Sequence, residues 1–286
     1  MKLLFVNVQM LPIIGEAKEL GVEEYKKLIF KLLNDYNNPE YGSLARDKYI
    51  QFLYAEEKGK ELLGGQILIF KKPPPYKDLK TDKITRIPEP NEVEKSIRLN
   101  FFFDLKHHIM AIEKHPIEIN SGETVERKIK TLFAERIEAS KAYEDYYLDI
   151  TVLTKLSELK KVINADMVEY FSVKLSFPNG NEFQESILDD MKDDRSGLEY
   201  REKSFPRSFM KGVSKLGKKL ASFATMYGNV KMKYFDYDKG KFQTFILKNK
   251  PIESTIDNDE HLFTEDFIRD EIVKALNETR LIDSDD

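Results

Sequence analysis

The chain has 286 residues, with 46 Lys and Arg against 50 Asp and Glu, and its formal net charge at pH 7 is −4. This balance excludes a protein that its overall charge draws to nucleic acid, so any such attraction must come from local clusters of cations. The absence of cysteine excludes disulfides and thiolate metal sites and agrees with a cytoplasmic location, and no apolar run approaches the roughly 18–20 residues that span a bilayer.

The first 145 residues are predicted to form an N-terminal domain in which strands and helices are mixed. Apolar residues at helical or alternating spacing predict, in chain order, strand 3–8, helix 23–36, strands 49–55 and 62–70, an aromatic hairpin over 98–113 and a helix from 121 to about 143. Five prolines lie between Pro73 and Pro90. They predict a connector or extended arm over residues 71–97.

Residues 146–286 are predicted to form a second domain of the same kind. Its predicted elements are strand 147–153, helix 156–163, strand 167–177, helix 205–227, a hairpin of 228–236 with 241–248, and a terminal helix around 267–276. Because strands and helices follow each other without a sustained βαβα rhythm, the sequence predicts a two-lobed α+β fold with mixed or antiparallel sheets and packed helices.

The helix predicted over Phe205–Tyr227 is the most informative stretch. Its large apolar residues recur every three or four positions, which is typical of a helix with one buried face. Its cations recur on another face, and no acidic residue interrupts them. The residues predicted to contact phosphates are Arg207, Lys211, Lys215, Lys218 and Lys219, supported by Arg201 and Lys203. The alternative is a solvated face that pairs with the acidic segment Glu182–Asp194.

No pattern in the chain predicts a catalytic residue, a cofactor or a metal site. The glycine motifs that bind phosphates and the GxSxG motif are both absent. His107 and His108 are adjacent, so on a strand they would point to opposite faces, and their spacing to His115 matches no zinc pattern. We interpret the three histidines as polar residues at strand ends. Asp104 and Glu113 are compatible with a metal-dependent nuclease, but they form no diagnostic motif.

The segment FFFDLKHHIMAIE (101–113), followed by SGETVERKIKTLF (121–133), resembles the central signature of a bacterial family of unknown function. The order of elements over residues 98–280 also resembles that of the RexA-type phage-exclusion proteins. This resemblance implies a cytoplasmic sensor in anti-phage defence. Such a sensor is a DNA-binding homodimer without known enzymatic activity, and it works with a membrane-embedded effector encoded beside it. The resemblance carries over no individual DNA contact.

The basic helix predicts binding to nucleic acid through phosphates, and the resemblance implies that the protein is a non-enzymatic defence sensor that binds DNA and needs no cofactor. Because there is no helix-turn-helix or zinc finger, we expect little sequence preference. The alternatives are a metal-dependent nuclease effector, an adaptor whose basic helix docks an acidic protein, and a basic helix that lies on anionic lipid. We also hypothesise that Glu182–Asp194 covers the basic face until activation.

Overall fold

The computed structural model describes residues 1–12, 20–34, 42–45, 48–78, 80–89, 92–138, 143–176, 198–204, 208–256 and 264–279. Its strands are β1 (Lys2–Pro12), β2 (Gly42–Ala45), β3 (Lys48–Glu57), β4 (Leu62–Lys71), β5 (Tyr76–Lys77), β6 (Ile84–Arg86), β7 (Lys95–Asp104), β8 (Ile109–Glu113), β9 (Tyr146–Val152), β10 (Val168–Leu175), β11 (Leu198–Lys203), β12 (Gly228–Asp236), β13 (Lys241–Ile246) and β14 (Glu253–Thr255). Its helices are α1 (Val22–Asn34), α2 (Gly122–Glu138), α3 (Leu156–Ile163), α4 (Lys215–Tyr227) and α5 (Glu265–Thr279). The predicted α+β class with antiparallel sheets is confirmed.

The first sheet is built around β1, which is buried along nearly its whole length. The order of the sheet is β14-β1-β8-β7-β4-β3-β2, and β9 pairs with the second half of β1, from Val6 to Pro12. Every pairing in this sheet is antiparallel. A strand with neighbours on both edges and helices on both faces is buried on both faces, which explains the apolar run from Leu3 to Val6.

Both faces of the first sheet are covered by helices. Phe101 and Phe103 of β7 point into a core that α1 and α2 complete, where Phe52 lies against Phe101 and Phe133. Phe102 points to the opposite face and joins the core that α5 covers. Successive side chains of a strand alternate between faces, so the three consecutive phenylalanines supply both cores.

The second sheet has the order β11-β10-β12-β13 and is antiparallel throughout. Helices α3 and α4 pack on one of its faces, where Phe171, Val230 and Leu220 are buried. Gly228 begins β12 directly after α4, and a Cβ there would lie 1.9 Å from the carbonyl oxygen of Lys174. Only glycine allows β12 to approach β10 this closely.

The two sheets are joined by buried hydrogen bonds. The Thr154 hydroxyl donates to the carbonyl oxygen of Thr225 on α4 (3.0 Å), and the Thr225 hydroxyl donates to that of Thr279 on α5 (2.9 Å). Strands β9 and β14 belong to the first sheet although both follow residue 145. The division into independent domains at this residue stays a prediction.

The predicted connector over residues 71–97 includes a small, solvent-exposed ribbon of β5 and β6. None of the helices that the structure describes is long and apolar enough to cross a bilayer.

Candidate nucleic-acid interface

Helix α4 begins at Lys215, so the predicted helix over 205–227 is wrong for its described residues before Lys215. Met210 forms a β-bridge with Val168, and Gly212 adopts a positive φ of 84°. Ser214 then caps the helix, because its Oγ accepts a hydrogen bond from the Gly217 N–H (3.0 Å). A left-handed glycine and an N-cap cannot lie inside a helix. Arg207 and the segment Glu182–Asp194 lie outside the described residues.

The buried side of α4 is its small and apolar side. Leu220, Ala221 and Ala224 face the second sheet. Gly217 also lies there, and a Cβ at this position would come within 3.0 Å of the Phe171 ring and 2.7 Å of Val213. Close packing therefore explains this glycine, despite the roughly 1 kcal/mol by which glycine weakens a helix relative to alanine.

The opposite side of α4 carries the predicted cations. Lys215, Lys218 and Lys219 are exposed, and Lys211 is exposed on the loop before the helix. Lys218 Nζ donates to Asn164 Oδ1 at 2.7 Å. Within the described residues, no carboxylate forms an ion pair with any of these four lysines, so their charges are available to an anion.

The N-terminus of α4 is already occupied by an acidic side chain. The Glu202 carboxylate accepts hydrogen bonds from the Ser214 N–H (3.2 Å), the Ser214 hydroxyl and the Tyr200 hydroxyl (3.0 Å). Free N–H groups at a helix start attract phosphate, but here Glu202 competes for that position. Anion binding on α4 must therefore use the lysine side chains. Glu202, the one acidic residue among the predicted cations of 201–219, has this structural role.

A groove of about 360 Å³ runs between α3 and α4. Leu156, Leu159 and Ile163 form its floor, and Lys160, Lys218 and Lys219 lie along its rim. Lys160 was missed in the sequence because α3 is short and its charges are mixed. The groove thus combines an apolar floor with the same cations that the basic helix presents.

Arg201 and Lys203 lie on the other side of the second sheet. They are exposed on β11, and alternation along this strand turns Tyr200 and Glu202 towards α4 instead. Arg201 forms an ion pair with Glu199, with Nε at 2.9 Å and Nη2 at 2.6 Å from Oε1. The predicted cations therefore divide between two surfaces, and Arg201 and Lys203 do not extend the surface of α4.

The surface that includes Arg201 and Lys203 is the face of the second sheet turned away from α4, which we call the open face. Side-chain alternation places further cations on it that the sequence analysis missed. Its cations are Lys174, Arg201, Lys203, Lys231 and Lys233. The aromatic residues Tyr170, Phe235 and Phe242 lie on the same face. The alternating pattern of β10 and β12 shows in the sequence which residues of each strand share a face. That the two strands place these residues on one common face follows only from their pairing.

The two basic surfaces and nearly all of both sheets lie within the residues that one family model matches. The model of a domain of unknown function, DUF4747, matches residues 5–277. The chain belongs to the DUF4747 family. None of the curated proteins compared with the chain matches it.

His107 and His108 of this DUF4747 chain have structural roles. Asp104 accepts hydrogen bonds from the backbone N–H of Lys106 (2.9 Å) and pairs with His107 Nδ1 (2.9 Å), which closes the β7–β8 turn. His108 has a positive φ of 57° and its ring lies 4.3 Å from that of Tyr25. Burial lowers the pKa of His108 to about 4, so this ring is neutral at pH 7.

The carboxylates considered for a nuclease are also held by internal bonds. Glu113 accepts from the Asn100 N–H at 3.0 Å and from the Asn100 side-chain amide at 2.8 Å. Among the described residues, no three His, Asp or Glu side chains are grouped so that they could hold a metal ion.

A polar cleft of about 370 Å³ lies where the open face meets α2 and β9. Glu126 forms an ion pair with Lys248 at 2.6 Å, and Asp149 lines the same cleft. Burial raises the pKa of Glu126 and also that of Asp149. Glu199, Thr151 and Ser176 also line this cleft, but its acids are not among any described group that could hold a metal ion.

Proposed function

We propose that this DUF4747 protein is a non-enzymatic sensor in anti-phage defence that binds nucleic acid with little sequence preference and signals to a partner effector. The supporting observation is the surface of α4. Lys211, Lys215 and Lys219 have no carboxylate partner among the described residues, and the apolar side of the helix is committed to the core. A helix held in this way presents its cations to an external polyanion.

The chemistry of these cations favours phosphates over base edges. Lysine ammonium groups act as point charges, and the exposed side of α4 has no Asn or Gln that would read a base. Contacts of this kind position a protein on DNA without specifying a sequence. Four lysine–phosphate contacts predict that log affinity for a duplex falls with log salt concentration at a slope of roughly −4.

The resemblance to RexA-type proteins supports the remaining parts of the proposal. On this basis the protein is a cytoplasmic homodimer, and its partner is a membrane-embedded effector encoded nearby. DNA is the expected ligand, bound through its phosphates.

The proposal is tested by titrating salt against binding to a fluorescent duplex, for the native protein and for Lys215→Glu/Lys219→Glu. Both positions are exposed and lie one turn apart, so the fold should tolerate the change. Loss of two phosphate contacts should reduce the magnitude of the salt slope by about 2 and abolish most of the binding. The matched control is Lys80→Glu/Lys83→Glu, two exposed lysines beside the β5–β6 ribbon.

Binding that falls equally in both double variants would show a response to overall charge rather than a site on α4. Duplex binding that is absent at low salt, or unchanged in Lys215→Glu/Lys219→Glu, would refute the proposed contact.

The groove between α3 and α4 favours a second candidate function, an adaptor that docks an acidic protein. Its apolar floor and its rim of Lys160, Lys218 and Lys219 suit an amphipathic helix with acidic flanks. A partner captured from cell extract by the native protein and lost with Lys160→Glu, a change at an exposed residue of the rim, would support this candidate if capture persists after nuclease treatment. Capture that is abolished by nuclease treatment would instead indicate that this surface binds nucleic acid.

A further inference from the structure

The open face of the second sheet presents aromatic rings and cations together. We propose that this face binds single-stranded nucleic acid, with bases stacked on a cluster formed by Phe209, Phe235, Tyr237 and Phe242, and with phosphates held by the cations beside it. The proposal goes beyond the duplex contact of α4, because α4 lies on the other side of the sheet. It holds or fails independently of that contact.

The aromatic cluster is the first element of the argument. The rings of Phe209 and Phe242 are stacked, with centroids 5.2 Å apart and an interplanar angle of 26°. Phe235 meets Phe242 edge-on at 5.3 Å, and Tyr237 meets Phe235 in the same way at 5.1 Å. Phe209 is nevertheless 45% exposed and Tyr237 is 64% exposed. Large aromatic surfaces left in water and joined in one cluster indicate a binding surface.

The backbone explains how Phe209 reaches this cluster. Met210 pairs with Val168 and packs against the buried core of the second sheet, so its neighbour Phe209 points to the open face. This pairing is the same feature that ends the predicted helix before Lys215. The residue that appeared to belong to the apolar seam of a helix therefore becomes an exposed ring on the sheet.

The charges of the open face suit a polyanion. Lys203 and Lys231 have no carboxylate partner among the described residues, whereas Lys174 and Arg201 share Glu199, and Lys233 pairs with Glu169. Lys233 Nζ also lies 5.7 Å from the centre of the Phe242 ring, next to the stack. The cations thus outnumber the acids and lie within one or two strands of the aromatic rings.

The geometry selects a single strand over the other occupants. Four strands spaced about 4.8 Å apart give a platform roughly 15–20 Å wide, and four-stranded sheets with exposed aromatics stack two or three bases of an open strand. In a duplex the base faces are already stacked on each other and cannot reach the rings. A second copy of this face would bring cations against cations.

The test measures fluorescence anisotropy of labelled oligo(dT) and oligo(U) of about 12 nucleotides, a length within the usual site size of such surfaces. The variants are Phe209→Ala, Tyr237→Ala and Phe242→Leu. Phe209 and Tyr237 are exposed, so their removal should leave the fold intact, and leucine keeps an apolar side chain at position 242. Each lost base stack should weaken binding by about 5- to 100-fold. The matched control is Tyr54→Ala, since Tyr54 is 44% exposed on β3 of the other sheet.

A second pair of variants tests the charges. Lys203→Glu/Lys231→Glu should reduce the magnitude of the salt slope for single-stranded DNA by about 1.4, whereas Lys80→Glu/Lys83→Glu should leave it unchanged. Equal affinity of oligo(dT) and oligo(U) would assign recognition to bases and phosphates, and a preference for oligo(U) would add a contact to the 2′-hydroxyl.

The proposal is overturned if the native protein binds neither oligonucleotide at low salt, or if Tyr54→Ala weakens binding as much as Phe209→Ala does. It is also overturned if Lys215→Glu/Lys219→Glu removes strand binding while the open-face variants retain it. In that last outcome the proposed contact of α4 stands and only the open face is refuted. If the open-face variants lose strand binding and the α4 pair keeps duplex binding, the open face stands and the α4 contact is refuted.

Discussion

Replacement of Glu118 by alanine should destabilise the first sheet more than any other single removal of a charge among the described residues. Glu118 and Lys128 of α2 are only 7% and 6% exposed, and they form a direct ion pair. Lys48 at the start of β3 bonds the other Glu118 oxygen at 2.8 Å. Alanine leaves the Lys128 ammonium buried without its partner, which predicts a loss of about 3–5 kcal/mol in the free energy of unfolding.

The partner substitution separates this mechanism from simple loss of packing. Lys128→Met removes the buried cation, and Glu118 keeps its bond to the partly exposed Lys48, so we expect a smaller loss. The double change Glu118→Leu/Lys128→Met should return stability close to that of the native protein, because a buried pair can be replaced by apolar groups at little net cost. The coupling is read from the double-mutant cycle made by Glu118→Leu, Lys128→Met and the double change.

Urea unfolding followed by circular dichroism measures the native protein and each of these variants at pH 7. The exposed pair of Lys77 and Asp82 provides the control, since its separation of 3.1 Å is similar but both side chains are mostly in solvent. Lys77→Ala should change stability by less than about 1 kcal/mol. A loss below about 1 kcal/mol for Glu118→Ala, or a double variant less stable than both single ones, would refute the reasoning.

Three further predictions concern pH and the acidic segment. Burial lowers the pKa of His108 from 6.5 to about 4. The neutral ring therefore contributes about 3 kcal/mol to the free energy of unfolding above pH 6.5, and this contribution is lost as the pH falls towards 4. His108→Asn, which tolerates the positive φ, should lose less stability than the native protein between pH 7 and 4.5 in urea unfolding, and an identical loss would contradict this. Burial raises the pKa of Asp149, so ionisation of this carboxyl weakens the fold as the pH rises through that pKa. Asp149→Asn should therefore be more stable than the native protein at pH 7 by about 0.5–2 kcal/mol, and a lower melting temperature of the variant would contradict this. Deletion of Glu182–Asp194 should tighten duplex binding if this segment masks the basic surface, and unchanged affinity in the anisotropy assay would reject the masking hypothesis.

Local sequence patterns were sufficient to predict many of the elements. The β7–β8 hairpin, the helices α2 and α5 and the β12–β13 hairpin all lie close to their predicted positions. Each has a complete periodic pattern within its own segment, so no distant contact is needed to define it. The same holds for the short helix α3, whose bounds Leu156–Ile163 match those predicted.

Patterns failed where a distant strand decided the local structure. The residues before Lys215 have helical spacing, but pairing of Met210 with Val168 provides backbone hydrogen bonds of another kind, and tertiary contacts override a helical propensity that Gly212 already weakens. The return of β9 and β14 to β1 joins residues more than 130 positions apart. Local periodicity carries no information about such pairing. For the same reason it could not show that Arg201 and Lys215 lie on opposite sides of the second sheet.

The net charge of −4 does not argue against either basic surface, because many acids are used inside the molecule. Glu202 accepts hydrogen bonds from the N-cap residue Ser214, Glu118 pairs with Lys128, and Asp104 closes a turn, so these carboxylates are bonded to neighbouring groups. At physiological salt a charge is screened over about 8 Å, which is less than the thickness of a helix packed on a sheet. The lysines of α4 and the cations of the open face should therefore act independently. When variants of α4 and of the open face are combined in one protein, we expect their effects on the binding free energies of the two ligands to be additive.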